Sequence, residues 1–406
     1  MPSLQRACDM MSTKPQQSLL AQMMRGDLDV YILDIRRHSN TLIPIARLTS
    51  EILLLIFKEC RAGSLQLWHA PWIAVTQVCH HWRVLALSTP TLWNVIPLEV
   101  GYNSFPRREV LLPWRDRAGK TLLSIHVYDA DSSAPSADLS PGLRDVLAGI
   151  IFEQLPRAQR FEMGVVAEFP ESEMWPPSKF PLLEHLALWN TGVTQLKKNS
   201  ESLWRLFGQR FPALKTFTMK KSYHFNFTKW TLPPSLTHLE LVNTYCAPSS
   251  PLSDVLRTLR NLQALEVLSL SCRLVCDSGF SVSAEQVELP YLRYSALEGG
   301  MDDYVPLLDH LQFPSSTRIR LNWSLDDRLE KTCLLALADH IRRGPTLQSV
   351  HLKPKTNMSG DILGLTFIAW WTKQTAESIP RELESEVDIY VTLFTVYQRL
   401  DIADEN

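Results

Sequence analysis

Apolar positions recur along this chain with two different periods. Between residues 19 and 43, Leu28, Tyr31, Ile32 and Ile35 fall at helical spacing behind Asp27, a residue suited to a helix start, and predict an amphipathic helix. After Pro44, Leu48, Ile52, Leu55 and Ile56 stand at i, i+4, i+7 and i+8, the stripe a helix buries on one side, with Thr49 or Ser50 as its cap. Pro71 opens a second helical pattern in which Val75, Val78, Cys79, Trp82, Leu85 and Ala86 share a face. Pro90 stops it, and Thr91, Leu92 and Trp93 add an apolar plug before Pro97. A helical unit of about 50 residues has little core of its own, so residues 44–97 are expected to lean on a partner. Residues 1–18 are polar and mixed and read as a disordered tail.

From residue 120 the period changes. A pattern close to Pro-x-Leu-x-x-Leu-x-Leu recurs from Pro181, Pro212, Pro234, Pro290 and Pro345, with looser copies near Leu122, Pro156, Gln263 and Pro314. Aligned on their first apolar position, the units begin at 122, 158, 183, 214, 236, 265, 292, 316 and 347, a mean step of about 28 residues. Each Leu-x-Leu reads as a short strand with alternate side chains inward. The stretches between often read as helices, as at Leu203, Leu206 and Phe207, at Val255, Leu256 and Leu259, at Leu307, Leu308 and Leu311, and at Leu329, Cys333, Leu334, Leu337 and Ile341. One strand and one helix cannot bury their faces alone, so residues 120–369 are expected to stack as an irregular array resembling leucine-rich repeats. Asn190, Asn243 and Asn322 hold the asparagine position of such repeats, and most units lack it. Residues 370–406 read as a cap with Trp370 and Trp371, followed by a helix carrying Val387, Tyr390, Val391 and Phe394, although Val387, Ile389, Val391 and Leu393 fit a strand equally well.

Composition agrees with this division: 63 leucines against 15 glycines favour a leucine-built array over a glycine-dependent nucleotide fold. A formal net charge of -2 provides no basic field for nucleic acid or an anionic membrane, and no apolar run approaches a membrane span. The expected setting is soluble and intracellular, in the cytoplasm or nucleus. Seven scattered cysteines form no disulfide framework, and Cys272 and Cys276 have no second pair at zinc-finger distance, so the cysteines read as small buried hydrophobes and no metal or other cofactor is expected.

The string IPIARLTSEILLLIFKEC followed by WIAVTQVCHHWRVLALSTPTLW resembles an F-box, especially the F-box-like domains of large fungal families. The resemblance rests on Leu48, Glu51, Ile52, Leu53, Ile56 and Phe57, then on Val78, Cys79, Trp82, Arg83, Leu85, Ala86, Leu92 and Trp93. Where the family usually has Leu-Pro-x-Glu, this chain has Leu48-Thr49-Ser50-Glu51. The resemblance implies docking on the Skp-type adaptor, and through it on a cullin, of a ubiquitin ligase. The adaptor-binding positions it implies are Leu48, Ile52, Ile56, Val78, Cys79, Trp82, Leu85 and Trp93.

The resulting fold expectation is α/β: a short helical F-box-like module, then an irregular leucine-rich-repeat-like solenoid of strand and helix units. The outward strand positions would line a concave surface for a protein substrate. Among them Tyr128 and Trp189 are candidate anchors for an apolar element, and Arg318, Arg320 and Lys353 candidate acceptors of an acidic or phosphorylated one. No phosphate-binding glycine loop, nucleophile elbow or zinc-protease motif occurs. The acid pairs Asp302-Asp303 and Asp326-Asp327 read as turns or helix starts, and His80 and His81 point about 100° apart on a helix, so no enzyme is expected. The function expected is that of a non-catalytic substrate-recognition subunit. The alternative is an assembly protein that binds the adaptor without ubiquitin transfer.

Overall fold

The computed structural model describes residues 14–62, 71–100, 108–129, 152–165, 180–190, 211–220, 225, 227, 231–242, 250–272, 274–275, 286–314, 316–325, 349–356, 362–370 and 389–395. The chain divides into two compact units, Met1–Asn94 with Trp114–Lys120, and Val95–Pro113 with Thr121–Asn406.

The first unit is helical. Helix α1 spans Lys14–Thr41, so it begins inside the stretch expected to be a disordered tail, and Asp27 lies within it rather than capping it. A 3-10 turn, Pro44–Arg47, leads into α2, Ser50–Ala62. Thr49 stands where the resembled family has proline, and its side chain hydrogen-bonds the Glu51 carboxylate. With the Glu51 backbone N–H as the larger cause, this holds that carboxyl below its ordinary range. The single helix expected after Pro71 is instead a 3-10 turn, Pro71–Ala74, with α3, Val75–Val78, and α4, His80–Leu87. The break falls at Cys79, which is extended (φ -155°, ψ 169°) and caps α4 by accepting the Trp82 backbone N–H at Sγ, 3.5 Å.

Two aromatic groups hold this unit. Phe57 meets Trp82 edge-on at 5.1 Å, and Leu53 and Ala86 are fully buried. Trp93 meets Trp72 at 5.0 Å and Trp114 at 5.1 Å, donates its indole N–H to the Ala86 carbonyl at 2.8 Å, and lies under the Arg117 guanidinium. Trp114 belongs to α5, Arg108–Ala118. Arg61 ties α2 to the plug through the Thr91 carbonyl, 2.5 Å, and Asn94, 2.7 Å.

The second unit is built on a twelve-stranded sheet. Its strands are β1 (Val95–Val100), β2 (Leu123–Asp129), β3 (Ala158–Val165), β4 (His185–Asn190), β5 (Thr216–Lys220), β6 (His238–Val242), β7 (Val267–Leu270), β8 (Tyr294–Gly300), β9 (Arg318–Leu325), β10 (Ser349–Thr356), β11 (Ile362–Trp370) and β12 (Ile389–Thr395). From β1 to β9 they lie side by side in chain order, all parallel, the arrangement of a repeat solenoid. The array therefore starts at Val95, upstream of the expected residue 120.

Each repeat turns in the same way. Leu183, Leu214, Leu236, Leu265 and Leu292 are all buried, and each donates its backbone N–H to the carbonyl three residues earlier: Phe180, Phe211, Pro233, Leu262 and Leu289. One residue further on, the backbone N–H groups of Glu184, Lys215, Thr237, Glu266 and Arg293 donate to a carbonyl of the preceding repeat at 2.7–2.9 Å. Leu268 and Leu270, like Leu239 and Leu241 before them, point inward. Helix α6, Leu252–Arg260, covers that side with Val255, Leu256 and Leu259, and α7, Met301–His310, with Tyr304 and Leu307. The Tyr304 hydroxyl donates to the Cys272 carbonyl, 2.7 Å, and accepts from the Cys272 N–H, 2.8 Å. The helical faces expected at 203–207 and 329–341 lie outside the described residues.

The far end departs from expectation twice. The segment expected as a terminal helix forms strand β12, which takes the place beside β9, parallel to it. The unit at 347 forms β10, the sheet's last strand, separated from β9 by β12 and β11 and joined through antiparallel pairs. Ile389, Val391 and Leu393 supply an apolar period-two pattern, β-branched at Ile389 and Val391, that pairing with β9 rewards more than helix propensity does.

Candidate functional site

Two surfaces are candidates, one on each unit. On the first unit, α2 turns Leu53 and Phe57 inward and leaves Ile52 (44% exposed), Leu55 (57%) and Ile56 (36%) facing solvent. The stripe expected to be buried is therefore the outer one. Val78 is 56% exposed, Leu48, Cys79 and Leu85 are half-buried, and Trp82 and Trp93 are buried. The last two pack inside the unit, against Phe57 and against Trp72 and Trp114. Of the 17 large apolar side chains exposed among the described residues, 14 lie between Leu28 and Val84. Solvated apolar side chains are ordinary when scattered, whereas concentration in one small unit marks a binding surface. Cys60 is exposed and in no disulfide, contrary to the reading of all cysteines as buried, while Cys272 is buried.

On the second unit the outward strand positions fall into register rows. Ser124, Arg160, His185, Thr216, His238, Val267, Tyr294 and Arg318 form one. His126, Glu162, Ala187, Thr218, Glu240, Ser269, Ala296 and Arg320 form the next. These rows are not uniformly open. His126, Glu162 and Ala187 are buried, so the second row is covered over β2–β4, while Arg160 in the first row is exposed.

Part of the closure is ionic. Glu162 bonds His126 Nδ1 at 2.7 Å and Arg160 Nε at 2.6 Å, with His185 Nε2 3.3 Å away. Burial pushes its carboxyl up, but the bonds from His126 and His185, the His126 charge and Arg160 together outweigh this and hold it far below the usual carboxylate range. Part is steric. Trp189 pairs in register with Gly164, and a Cβ placed on Gly164 would fall inside the indole. Trp189 is thus packed on the neighbouring strand, a contact signalled in the sequence only by a glycine at an outward strand position.

Tyr128 pairs with Gly164 from the other side, placed by backbone register alone. The basic candidates separate. Arg318 is exposed on β9 and Arg320 half-buried two residues on, and both already take part in contacts within the chain. Lys353, placed by backbone register, lies in the row of Thr366, Thr392 and Asn322, three strand spacings or about 14 Å from β9. Over β5–β9 the face opens into a depression of about 470 Å³, whose lining includes Thr218, Glu240, Ser269, Ala296 and Arg320.

No known protein family and no curated protein matches this chain. Among solved structures it is similar to InlP of Listeria monocytogenes, at 12% identity over 76% of this chain and 90% of that one, with a TM-score of 0.29. A likeness at that level carries nothing to this chain. Among the described residues no helix is long and apolar enough to cross a membrane, and no group of three or more His, Cys, Asp and Glu is arranged to hold a metal.

Proposed function

We propose that this chain is the substrate-recognition subunit of a Skp, cullin and F-box type ubiquitin ligase, docking the adaptor with its helical first unit and a protein substrate with its repeat array. The observation that carries the reading is the division of labour within α2. Leu53 and Phe57, with Trp82 and Ala86, consume the inward side, while Ile52, Leu55, Ile56 and the neighbouring Val78 remain uncovered. A folded unit that leaves such residues in water gains by burying them against another helical protein. The F-box-like string supplies the identity of that protein as a Skp-type adaptor, and the parallel array supplies a second, polar surface at a distance in sequence. Catalysis then belongs to the other subunits.

The test is affinity capture of the full chain with a Skp-type adaptor and cullin, followed by reconstituted ubiquitination of co-captured proteins. Capture by wild type and its loss in Ile52→Asp support docking. Adaptor capture unaffected by Ile52→Asp overturns it, and capture without ubiquitin transfer identifies an assembly protein instead.

A further inference from the structure

Helix α1 is 28 residues long, about 42 Å, and every residue from Leu28 to Ser39 is exposed, so the rest of the first unit covers no face of it over that stretch. A single helix standing in water gains little stability from its own hydrogen bonds and depends on packing of an apolar face. Such a face runs along α1. Ala21, Met24, Leu28, Tyr31, Ile35 and His38 alternate steps of three and four, the a and d positions of a heptad, and Leu42 continues the series one residue beyond the helix. Leu28 is 59% exposed, Tyr31 68%, Ile35 57% and Leu42 66%. Asp29, Asp34, Arg36 and Arg37 lie off this seam, with Asp34 and Arg37 paired at 3.1 Å.

A seam with a period of 3.5 residues is followed along its whole length by another helix of the same repeat. A second copy of α1 is such a helix. Parallel and in register, each seam residue meets its own counterpart, and the flanking positions set no like charges together: Asp27 faces Ile32 of the second copy, and Asp34 faces its Ser39. An antiparallel pair that stacks Leu28 on Tyr31 instead sets Asp27 beside Asp34 of the other copy. The uncovered parts of Leu28, Tyr31, Ile32, Ile35 and Leu42 amount to roughly 500 Å² per helix, so two copies bring together about 1,000 Å² of apolar surface, enough for a specific interface. We propose that α1 pairs with α1 of a second copy of this chain as a parallel two-stranded coiled coil. Because Pro44–Arg47 leads directly from α1 into α2, both copies of α2 start from the same end of the coil, and one assembly carries two copies of the outer face of α2.

The test is sedimentation equilibrium of the full chain between about 1 and 100 μM, where wild type is a dimer. Leu28→Asp combined with Ile35→Asp places carboxylates in the seam and weakens self-association by about 100-fold or more. Val30→Asp combined with Leu33→Asp adds the same charges on the far side of the same helix and leaves the dimer intact. Unfolding midpoints at a dilution where wild type is monomeric stay unchanged in both pairs, since all four side chains face water in the single chain. Ile35→Cys reads the orientation: under oxidation a disulfide between the two substituted positions, located by peptide mapping, forms in the parallel pair, whereas the antiparallel pair sets Ile35 against Met24. A monomeric wild type, seam and far-side variants that dissociate alike, or absence of that disulfide overturns the proposal. So does a saturating Skp-type adaptor that converts the dimer into one-to-one complexes, which would make the adaptor the occupant of the seam. Failure of adaptor capture with the dimer intact overturns the docking reading and leaves the coiled coil standing.

Discussion

Replacing Ile52 and Ile56 with aspartate separates docking from folding, because the two side chains lie on the water side of α2 while Trp82 lies beneath it. Full burial of an isoleucine is worth about 1.5–3 kcal/mol. With 44% and 36% of their surface still exposed, each has roughly 1 kcal/mol left to gain at an interface. Placing two carboxylates there instead adds several kcal/mol of desolvation, so adaptor affinity should fall by at least about 100-fold. The free protein loses little: exposed substitutions away from special features stay within about 0.5 kcal/mol. Trp82→Ala is the opposite case, since it removes a buried ring in edge contact with Phe57 and should cost about 3–5 kcal/mol of the 5–15 kcal/mol a domain possesses. The assay is urea unfolding followed by far-UV circular dichroism, paired with adaptor titration by fluorescence anisotropy. Aspartate variants that unfold as early as Trp82→Ala, or that bind the adaptor with wild-type affinity, would refute the assignment of the outer face.

Three further outcomes follow from the second unit. Gly164→Ala should cost about 1–3 kcal/mol because its Cβ enters the Trp189 indole, and most of that cost should vanish in a Trp189→Ala background; additive unfolding energies would show that the two do not touch. Glu162, held charged in the folded state, contributes stability above its ordinary value of 4.5 that is lost as pH falls below it, so the acid limb of the unfolding profile should be shallower in Glu162→Gln, and parallel limbs would be inconsistent with the network. Tyr304→Phe leaves the Cys272 N–H and carbonyl without their partner and should lower stability by about 2 kcal/mol or more in denaturant titration; an unchanged midpoint would remove that bracket from the fold.

Much of the array was legible because each repeat carries its own instruction. The leucines that open the units at 183, 214, 236, 265 and 292 are buried, and the proline, phenylalanine or leucine three residues earlier accepts the turn bond, as at Phe180, Phe211 and Pro233, whereas Leu122 at the first unit is exposed. That earlier position was a readable signal that the Pro-x-Leu alignment passed over. The outward rows were legible as well, since alternation in a strand assigns a face once one inward residue is known. The terminal order was not, because β12 and β10 compete for the same edge of β9 and the choice is made by pairing across long sequence separation.

The first unit marks the boundary between the two sources of information. Apolar spacing established that α2 is a helix and that Ile52 and Ile56 share a stripe, but Leu53 and Phe57 are equally apolar and define a second stripe beside it. Only the packing of Phe57 on Trp82 decided which stripe is inside. In the same way, sequence placed Trp189, Glu240, Glu298 and Arg320 on one face of the sheet, whereas tertiary structure closed that face at Trp189 and opened it between Glu240 and Glu298. Periodicity is a property of the local backbone and can be read from the chain. Exposure depends on the volumes and charges that neighbouring strands bring, and these meet only when the chain folds.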